Sequence, residues 1–175
     1  MKRVFNFFVS VAVAFVVVNC KPVSQQQLAK VDVQKTVIPT SIKWSERMAL
    51  SIMKRHEKAW QIDNHEAPKW DYKIGMILTA YQKLYTKTGD KKYFDYAKGY
   101  ADVLIDNERT FQNFNPQDHN IDFINAGKIL FNLYNKTKEQ KYLKALNILR
   151  RQFEDHPRTP SGGFWHKKIY PNQMW

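Results

Sequence analysis

A repeat with a period near 50 residues constrains the fold of this chain more than any other feature. The segment Leu84–Thr88, followed by Tyr93, is echoed 49 positions later by Leu133–Thr137 and Tyr142. Apolar residues at helical spacing on both sides of each polar stretch predict a helix, a short turn and a second helix in each unit. Such a unit cannot bury its apolar face alone, so neighbouring units must stack. The repeat therefore predicts an all-α fold built from helical hairpins.

The length of the repeat narrows the class of helical protein. Tetratricopeptide and ankyrin units run about 33 to 34 residues, whereas HEAT repeats and the hairpins of an α/α toroid are longer. Asp71 and Gly75 at the start of the first unit correspond to Asp122 and Gly127 in the second, after an insertion of two or three residues. Both a HEAT-like array and a toroid agree with this spacing.

One more helix is expected before the repeat. Helical spacing on one face is shown by Trp44, Met48, Ala49, Ile52, Met53 and His56. This pattern predicts an amphipathic helix that ends near Trp60, followed by a loop over residues 63–69.

The first twenty residues differ in character from the rest. Lys2 and Arg3 precede an apolar run over residues 4–18, which is typical of a secretory signal peptide. A retained membrane anchor is the alternative, but the run is shorter than the roughly 20 residues that a spanning helix needs. We therefore expect a signal peptide over residues 1–20, a flexible tether over residues 21–40 and a folded domain over residues 41–175.

The chain has one cysteine, Cys20, at the end of the apolar run. Its context resembles a bacterial lipoprotein cleavage box, although Asn19 is a poor match at the preceding position. Two outcomes stay open: a lipidated Cys20 that attaches the protein to a membrane, or a cysteine that is removed or left as a lone thiol. Either way we expect an exported, periplasmic protein, and the folded domain holds no disulfide framework and no cysteine metal site.

The formal net charge of +12 favours anionic partners. The basic residues are dispersed and the chain is expected to be exported, so a nucleic acid is not the expected partner. An acidic polysaccharide fits both facts, and a solvated basic surface without a ligand is the other interpretation. His56 and His65 are separated by a loop and are not expected to have a third ligand nearby, so no metal cluster of these histidines is predicted.

Three segments carry a resemblance to a known family. Residues 120–128, 156–159 and 162–175 resemble the unsaturated rhamnogalacturonyl hydrolases of glycoside hydrolase family 105, which are related to the unsaturated glucuronyl hydrolases of family 88. The resemblance runs from about Trp44 to the last residue. It implies the N-terminal part of an (α/α)6 barrel, truncated at the start of the third hairpin.

The resemblance also implies a reaction and a partner. The expected partner is an oligosaccharide with the 4-deoxy-4-enuronic acid that pectate or rhamnogalacturonan lyases leave at a non-reducing end. In the family, an aspartate protonates C4 of the vinyl ether and activates a water that adds at C5, after which the product opens and releases the remaining sugar. No metal or organic cofactor is implied.

Individual residues match the family pattern unevenly. Asp122 matches the first functional aspartate, in an Asp-x-Ile-Asn-x-Gly loop, and His166 and Lys167 match a substrate-contacting pair. Tyr72 matches a tyrosine that reaches the uronate site. Trp175 matches the tryptophan of a Met-Trp-Leu-Asp-Gly motif whose aspartate is the main acid/base. Because the sequence stops at Trp175, we expect the 175-residue chain itself to have no measurable activity.

Each of these residues has a purely structural alternative. Asp122 could cap a helix, Tyr72 could belong to the core, and His166 with Lys167 could belong to a surface loop. The tyrosines that recur with the repeat are predicted to be packing residues: Tyr85, Tyr93, Tyr134 and Tyr142.

Two other functions remain open at this stage. One is a non-catalytic exported helical-repeat protein that binds acidic glycans or a protein partner. The other is a related α/α-barrel enzyme, such as a lyase or a different uronyl hydrolase. Because a half-toroid leaves its last helices without neighbours, we also expect an exposed apolar flank.

Overall fold

The computed structural model describes residues 37–106, 111 and 114–174. The predicted signal peptide, Cys20, most of the tether and Trp175 lie outside the described residues. Within them the chain forms α1 (Trp44–Arg55), α2 (Tyr72–Thr88), α3 (Lys91–Leu104), α4 (Ile121–Ala126), α5 (Lys128–Thr137) and α6 (Gln140–Asp155), with 3-10 turns at Ala59–Asn64 and Pro116–Asp118. The described residues contain no strand, only an isolated bridge between Arg158 and Phe164. The all-α prediction is confirmed.

The two units of the repeat form two helical hairpins, α2–α3 and α5–α6. In the first, the Thr88 hydroxyl donates a hydrogen bond to the Leu84 carbonyl over 2.8 Å. In the second, the Thr137 hydroxyl donates to the Leu133 carbonyl over 2.9 Å. Each threonine hydroxyl then accepts a backbone N–H from two residues further on, at 3.2 Å in both units. The same side chain thus ends the first helix and begins the turn in each hairpin.

The turn between the helices has the same backbone form in both units. Gly89 has φ of 73° and Lys138 has φ of 59°, both in the left-handed region. Their N–H groups donate to the carbonyls of Tyr85 and Tyr134 respectively, each over 2.8 Å. A left-handed residue after the last helical turn is a common way to satisfy the final carbonyls of a helix. The predicted helix–turn–helix repeat is confirmed.

The recurring tyrosines are packing residues, as predicted. Tyr93 and Tyr142 are fully buried, and Tyr85 and Tyr134 are partly buried against the core. The hydroxyl of Tyr142 donates to Oδ1 of Asp102 over 2.5 Å, which joins α6 to α3. The buried aromatic rings therefore pack the hairpins together while a hydroxyl finds a polar partner.

Helix α2 lies at the centre of the described fold and is approached closely by α4. A Cβ atom added to Gly75 would lie 2.4 Å from the Cα atom of Ala126. A Cβ atom added to Gly127, between α4 and α5, would lie 2.3 Å from Cδ1 of Leu149. These glycines are the pair that the repeat aligns. At Gly75 the backbone of Ala126 leaves no room for a side chain, whereas at Gly127 the end of the Leu149 side chain would have to move.

The predicted end of the first helix is wrong by five residues. Helix α1 ends at Arg55, since His56 is extended (φ −131°, ψ 90°), and Trp60 lies in the following 3-10 turn. Ala49 on the predicted apolar face is buried, but Trp44 and Met48 are exposed. In the part of the chain that the structure describes, no helix has both the length and the apolar character needed to cross a membrane.

Candidate active site

Backbone hydrogen bonds hold the segment after α6 against the start of α4. The Ile121 N–H donates to the His166 carbonyl over 3.0 Å. The Lys168 N–H donates to the Asp118 carbonyl over 3.3 Å. Since these pairs lie far apart in sequence, the segment 156–174 folds back across the first turn of α4. The family-like segments 120–128 and 162–175 are therefore adjacent.

The loop over residues 70–72, which contains the predicted site residue Tyr72, contacts α4 through Trp70. Its indole N–H donates to the carbonyl of Phe123 over 2.8 Å, and the ring stacks on Tyr100 with centroids 5.6 Å apart. The Tyr100 hydroxyl also accepts the N–H of Asp71. Trp70 is almost fully buried. Tyr72, the predicted substrate contact, is the half-buried first residue of α2 and directly follows this anchored loop.

Asp122 is the centre of the site, and both predicted partners lie beside it. Its Oδ2 atom is 3.1 Å from Nε2 of His166 and 3.3 Å from Nζ of Lys167. The Asp122 side chain is 20% exposed, so its carboxylate is shielded but open to a ligand. The structure thus brings together the three residues that the motifs predicted, whereas Trp175 lies outside the described residues.

The local structure around Asp122 differs from two expectations. The N-cap of α4 is Asn120, whose side-chain oxygen accepts the N–H of Asp122 over 3.1 Å. The alternative in which Asp122 caps the helix is therefore wrong, because Asp122 already lies in the first turn. The Asp-x-Ile-Asn-x-Gly stretch, expected as a loop, is helical and forms α4 up to Gly127. A carboxylate in the first turn is favoured by the helix dipole.

His166 is held in place by the last described residues. Its backbone N–H donates to the Gln173 carbonyl over 2.6 Å, and its ring Nδ1 atom lies 3.4 Å from Oε1 of the Gln173 side chain. The Tyr170 ring stacks on the imidazole at 6.2 Å. Sequence reasoning missed Gln173 and Asn120 as supports of the site. Asn120 carried a signal, since Asn directly before a helix is a preferred N-cap, but nothing in the sequence pointed to Gln173.

The cluster of Asp122, His166 and Lys167 can both transfer a proton and bind an anionic group. A carboxylate within hydrogen-bond reach of an imidazole can hold or transfer a proton. The Lys167 ammonium adds a point charge that can bind the carboxylate of a sugar acid. Because His166 and Lys167 face the same oxygen of Asp122, a ligand that enters beside Lys167 also meets the Asp122 carboxyl group.

The prediction that His65 lacks neighbouring ligand groups is wrong. Possible ligand atoms of Asp63, His65 and Asp71 lie within 4.8 Å of one another. His65 Nε2 is 3.5 Å from Oδ2 of Asp71. The Lys73 ammonium donates to Asp63 over 2.5 Å, and this hydrogen bond lowers the pKa of Asp63. The Lys73 ammonium therefore already supplies positive charge to the group formed by Asp63, His65 and Asp71.

Comparisons with known proteins identify the family and the fold of this chain. Residues 44–175 match the model of Glycosyl Hydrolase Family 88. The fold is also similar to a solved family 105 glycoside hydrolase of C. acetobutylicum ATCC 824, with 39% sequence identity and a TM-score of 0.69 over 77% of this chain. The matched region spans 35% of that protein, about a third of its length. The predicted fold class, part of an α/α barrel, is confirmed, and the chain belongs to Glycosyl Hydrolase Family 88.

Proposed function

We propose that the protein removes unsaturated (4-deoxy-4-enuronic) uronic acid from the non-reducing end of pectin-derived oligosaccharides such as unsaturated rhamnogalacturonan. The single observation that carries this proposal is the Asp122 carboxylate, which lies between the His166 imidazole and the Lys167 ammonium. Membership of a glycoside hydrolase family supports a carbohydrate substrate. Since the matched region spans 35% of the solved relative, the activity is proposed for the whole protein.

The proposed reaction is hydration of the vinyl ether. A proton adds to C4 of the enuronate, the oxygen of a water adds to C5, and the proton that this water loses returns to the protein. The resulting hemiketal opens and the remaining oligosaccharide leaves. Asp122 takes part in the proton transfer, which needs an acidic group within hydrogen-bond reach of the sugar or of the attacking water.

Binding of the uronate falls to the residues around Asp122. Lys167 pairs with the substrate carboxylate as a point charge, and His166 hydrogen-bonds a ring hydroxyl. Tyr72 and Trp175 contribute aromatic surface to the sugar. The preference of this site for a uronate over a neutral sugar therefore depends on Lys167.

The test uses the protein encoded by the complete gene. It is incubated with unsaturated rhamnogalacturonan disaccharide, and loss of the enuronate absorbance is followed. The corresponding disaccharide with a saturated uronic acid is the matched control, and no neutral sugar should be released from it. Decay of the absorbance with release of the second sugar is the expected result. Unchanged absorbance together with measurable binding would favour the non-catalytic glycan-binding alternative.

We also propose that the protein is exported and that Cys20 carries a lipid. The apolar run over residues 4–18 and the single cysteine that follows it support this proposal. Cells that express the gene are fed a labelled fatty acid, and the label should appear in the wild-type protein but not in the Cys20→Ala variant. Equal labelling of both proteins, or of neither, would contradict lipidation at Cys20.

A further inference from the structure

A pocket outside the Asp122 cluster lies between the C-terminal half of α6 and the segment that precedes α4. It has a volume of about 530 Å³, which is enough for a single sugar ring because small-molecule pockets begin near 300 Å³. Its wall includes His119, Ile148 and Gln152, and its mouth includes Gln117, Arg151 and Glu154. None of these residues has a role in the Asp122 cluster.

The informative residue in this pocket is Gln152. Its side chain is buried, with 3% of the residue exposed. Neither Oε1 nor Nε2 of its carboxamide has a hydrogen-bond partner among the described residues. Buried polar groups in native proteins are almost always paired, so an orphaned carboxamide in the wall of a pocket calls for a partner from outside the fold.

The other buried polar group of the wall is already satisfied. The Nδ1 atom of His119 lies 3.0 Å from the Gln117 carbonyl, and its Nε2 atom lies 3.0 Å from Oδ1 of Asp155. His119 is therefore a fixed part of the wall. The unmet hydrogen-bonding capacity of the wall belongs to Gln152, which can donate two hydrogen bonds and accept one or two.

The charges around the mouth point to a neutral ligand. Arg151 brings one positive charge, and the carboxylates of Glu154 and Asp155 bring two negative ones. An anion would meet two carboxylates there, whereas sugar hydroxyls can donate to carboxylates and accept from the guanidinium and the amides. Ile148 and Pro116 offer apolar surface to the C–H face of a ring.

We propose that this pocket binds a neutral, hydroxyl-rich sugar residue through the Gln152 carboxamide. This goes beyond the proposed hydrolase activity, because the pocket is lined by residues other than those assigned to the uronate site. Its sugar preference is also opposite: the Lys167 site favours a uronate, and this pocket favours the uncharged sugar. The two proposals can therefore fail independently.

The test measures binding of D-galactose and D-galacturonate to the full chain by ligand-observed NMR. These probes differ only in the charged carboxylate at C6. In the Lys167→Met background, which weakens the uronate site, galactose should still bind and galacturonate should bind at least several-fold more weakly. Gln152→Met should weaken galactose binding at least tenfold. Failure of the enuronate assay would leave these results unaffected.

Gln82 provides a matched control for the buried glutamine. It is also buried, but its Nε2 atom donates to the Ile129 carbonyl over 2.8 Å. Gln82→Met should therefore lower the melting temperature, whereas Gln152→Met should leave it unchanged or raise it. If Gln152→Met unfolds the protein, Arg151→Met at the exposed mouth replaces it and should also weaken galactose binding. Absence of galactose binding by the wild type, or equal binding by the variants, would overturn the proposal and assign the carboxamide to internal water.

Discussion

The Nε2 atom of His166 lies 3.1 Å from the Oδ2 atom of Asp122, although 44 residues separate them in sequence. The contact exists because the segment after α6 returns to the start of α4 and is held there by backbone hydrogen bonds. The pair needs both segments, because α4 supplies Asp122 and the segment after α6 supplies His166. The chemistry of the site therefore depends on a tertiary contact, and its parts can be tested one at a time.

Asp122→Asn should abolish most of the activity of the whole protein. The amide keeps the shape of the side chain but cannot exchange a proton, and general acid–base catalysis contributes about 10²- to 10⁴-fold. We expect kcat on the unsaturated disaccharide to fall by that factor. The control is Asp118→Asn, four residues away, whose carboxylate accepts a hydrogen bond from Asn115 outside the cluster. A kcat within threefold of the wild type in Asp122→Asn would exclude Asp122 from proton transfer.

Lys167→Met should impair substrate binding more than turnover. Loss of one charge-assisted hydrogen bond of about 1.5–3 kcal/mol raises KM by roughly 10- to 100-fold. Its exposed neighbour Lys168 serves as the control, because Lys168→Met removes the same charge from the same segment. Steady-state kinetics with the unsaturated disaccharide separates the two parameters. Equal effects of the two variants would mean that Lys167 acts only through the general basic surface.

Gly75→Ala should destabilise the fold, whereas Gly99→Ala should not. A Cβ atom at position 75 would lie 2.4 Å from the Cα atom of Ala126, while a Cβ atom at position 99 meets nothing within 4 Å. Overpacking costs about 1–3 kcal/mol, and replacing an exposed helical glycine by alanine gains about 1 kcal/mol. Urea unfolding of both variants measures the difference. Similar stabilities for the two would contradict the close approach of α2 and α4.

His156 should make the folded state sensitive to mild acid. Burial lowers the pKa of His156 below its ordinary value of 6.5, although the hydrogen bond with the Trp165 carbonyl acts in the opposite direction. The unfolded chain therefore binds this proton at a higher pH than the folded chain. The contribution to stability is complete above pH 6.5 and falls as the pH drops through the lowered pKa.

Replacement of His156 by Gln tests this dependence. The Gln amide nitrogen takes the place of Nε2, which bonds the Trp165 carbonyl, but it does not titrate. We expect the free energy of unfolding to fall less steeply with pH below pH 6.5 in His156→Gln than in the wild type. Parallel curves for the two proteins over that range would show that His156 does not contribute to the acid sensitivity.

Asp102 should stabilise the contact between the two hairpins at neutral pH. Burial acts to raise the pKa of Asp102, but hydrogen bonds from Lys141, Lys98 and Tyr142 outweigh it and hold the pKa below 3.8. Its contribution is therefore present above pH 3.8 and is lost as the pH falls through the lowered pKa. Asp102→Asn should cost about 1–3 kcal/mol at pH 7, because charged hydrogen-bond donors lose their partner.

The control for Asp102 is the exposed pair of Asp95 with Lys91, four residues apart on α3. A surface pair of this kind is worth at most about 1 kcal/mol, so Asp95→Asn should have the smaller effect at pH 7. Thermal unfolding at pH 7 and pH 3 measures both variants, and the deficit of Asp102→Asn should shrink at the lower pH. An equal deficit at both pH values would contradict the assigned ionisation.

The hairpins were predictable from the sequence because their determinants are local. Leu84–Thr88 and Leu133–Thr137 end a helix and begin a turn through contacts that span four residues or fewer. The Asp122, His166 and Lys167 cluster was predicted from family resemblance, since nothing local places His166 beside α4. Gln173 was missed for the same reason.

The errors have physical causes as well. The apolar pattern of α1 continues past His56 although the backbone there is extended, so periodicity alone placed the helix end too late. Asp63 and Asn64 have φ values of 68° and 57°. This left-handed turn lies directly before His65, which stands beside Asp63 and Asp71. Asp63 is two positions from His65 in the sequence, but spacing along the chain carried no sign that Asp71 lies beside them.

The contrast between short-range hairpins and a long-range site has a consequence for the order of assembly. Closing the chain between Asp122 and His166 costs more entropy than closing a two-residue turn, because the cost grows with loop length. The hairpins can therefore form first, and the segment 156–174 docks on a helical framework that already exists. The same segment can detach while both hairpins stay folded, in a partial opening of the native state. The cluster of Asp122, His166 and Lys167 is then the last part of the described fold to form and among the first to be lost.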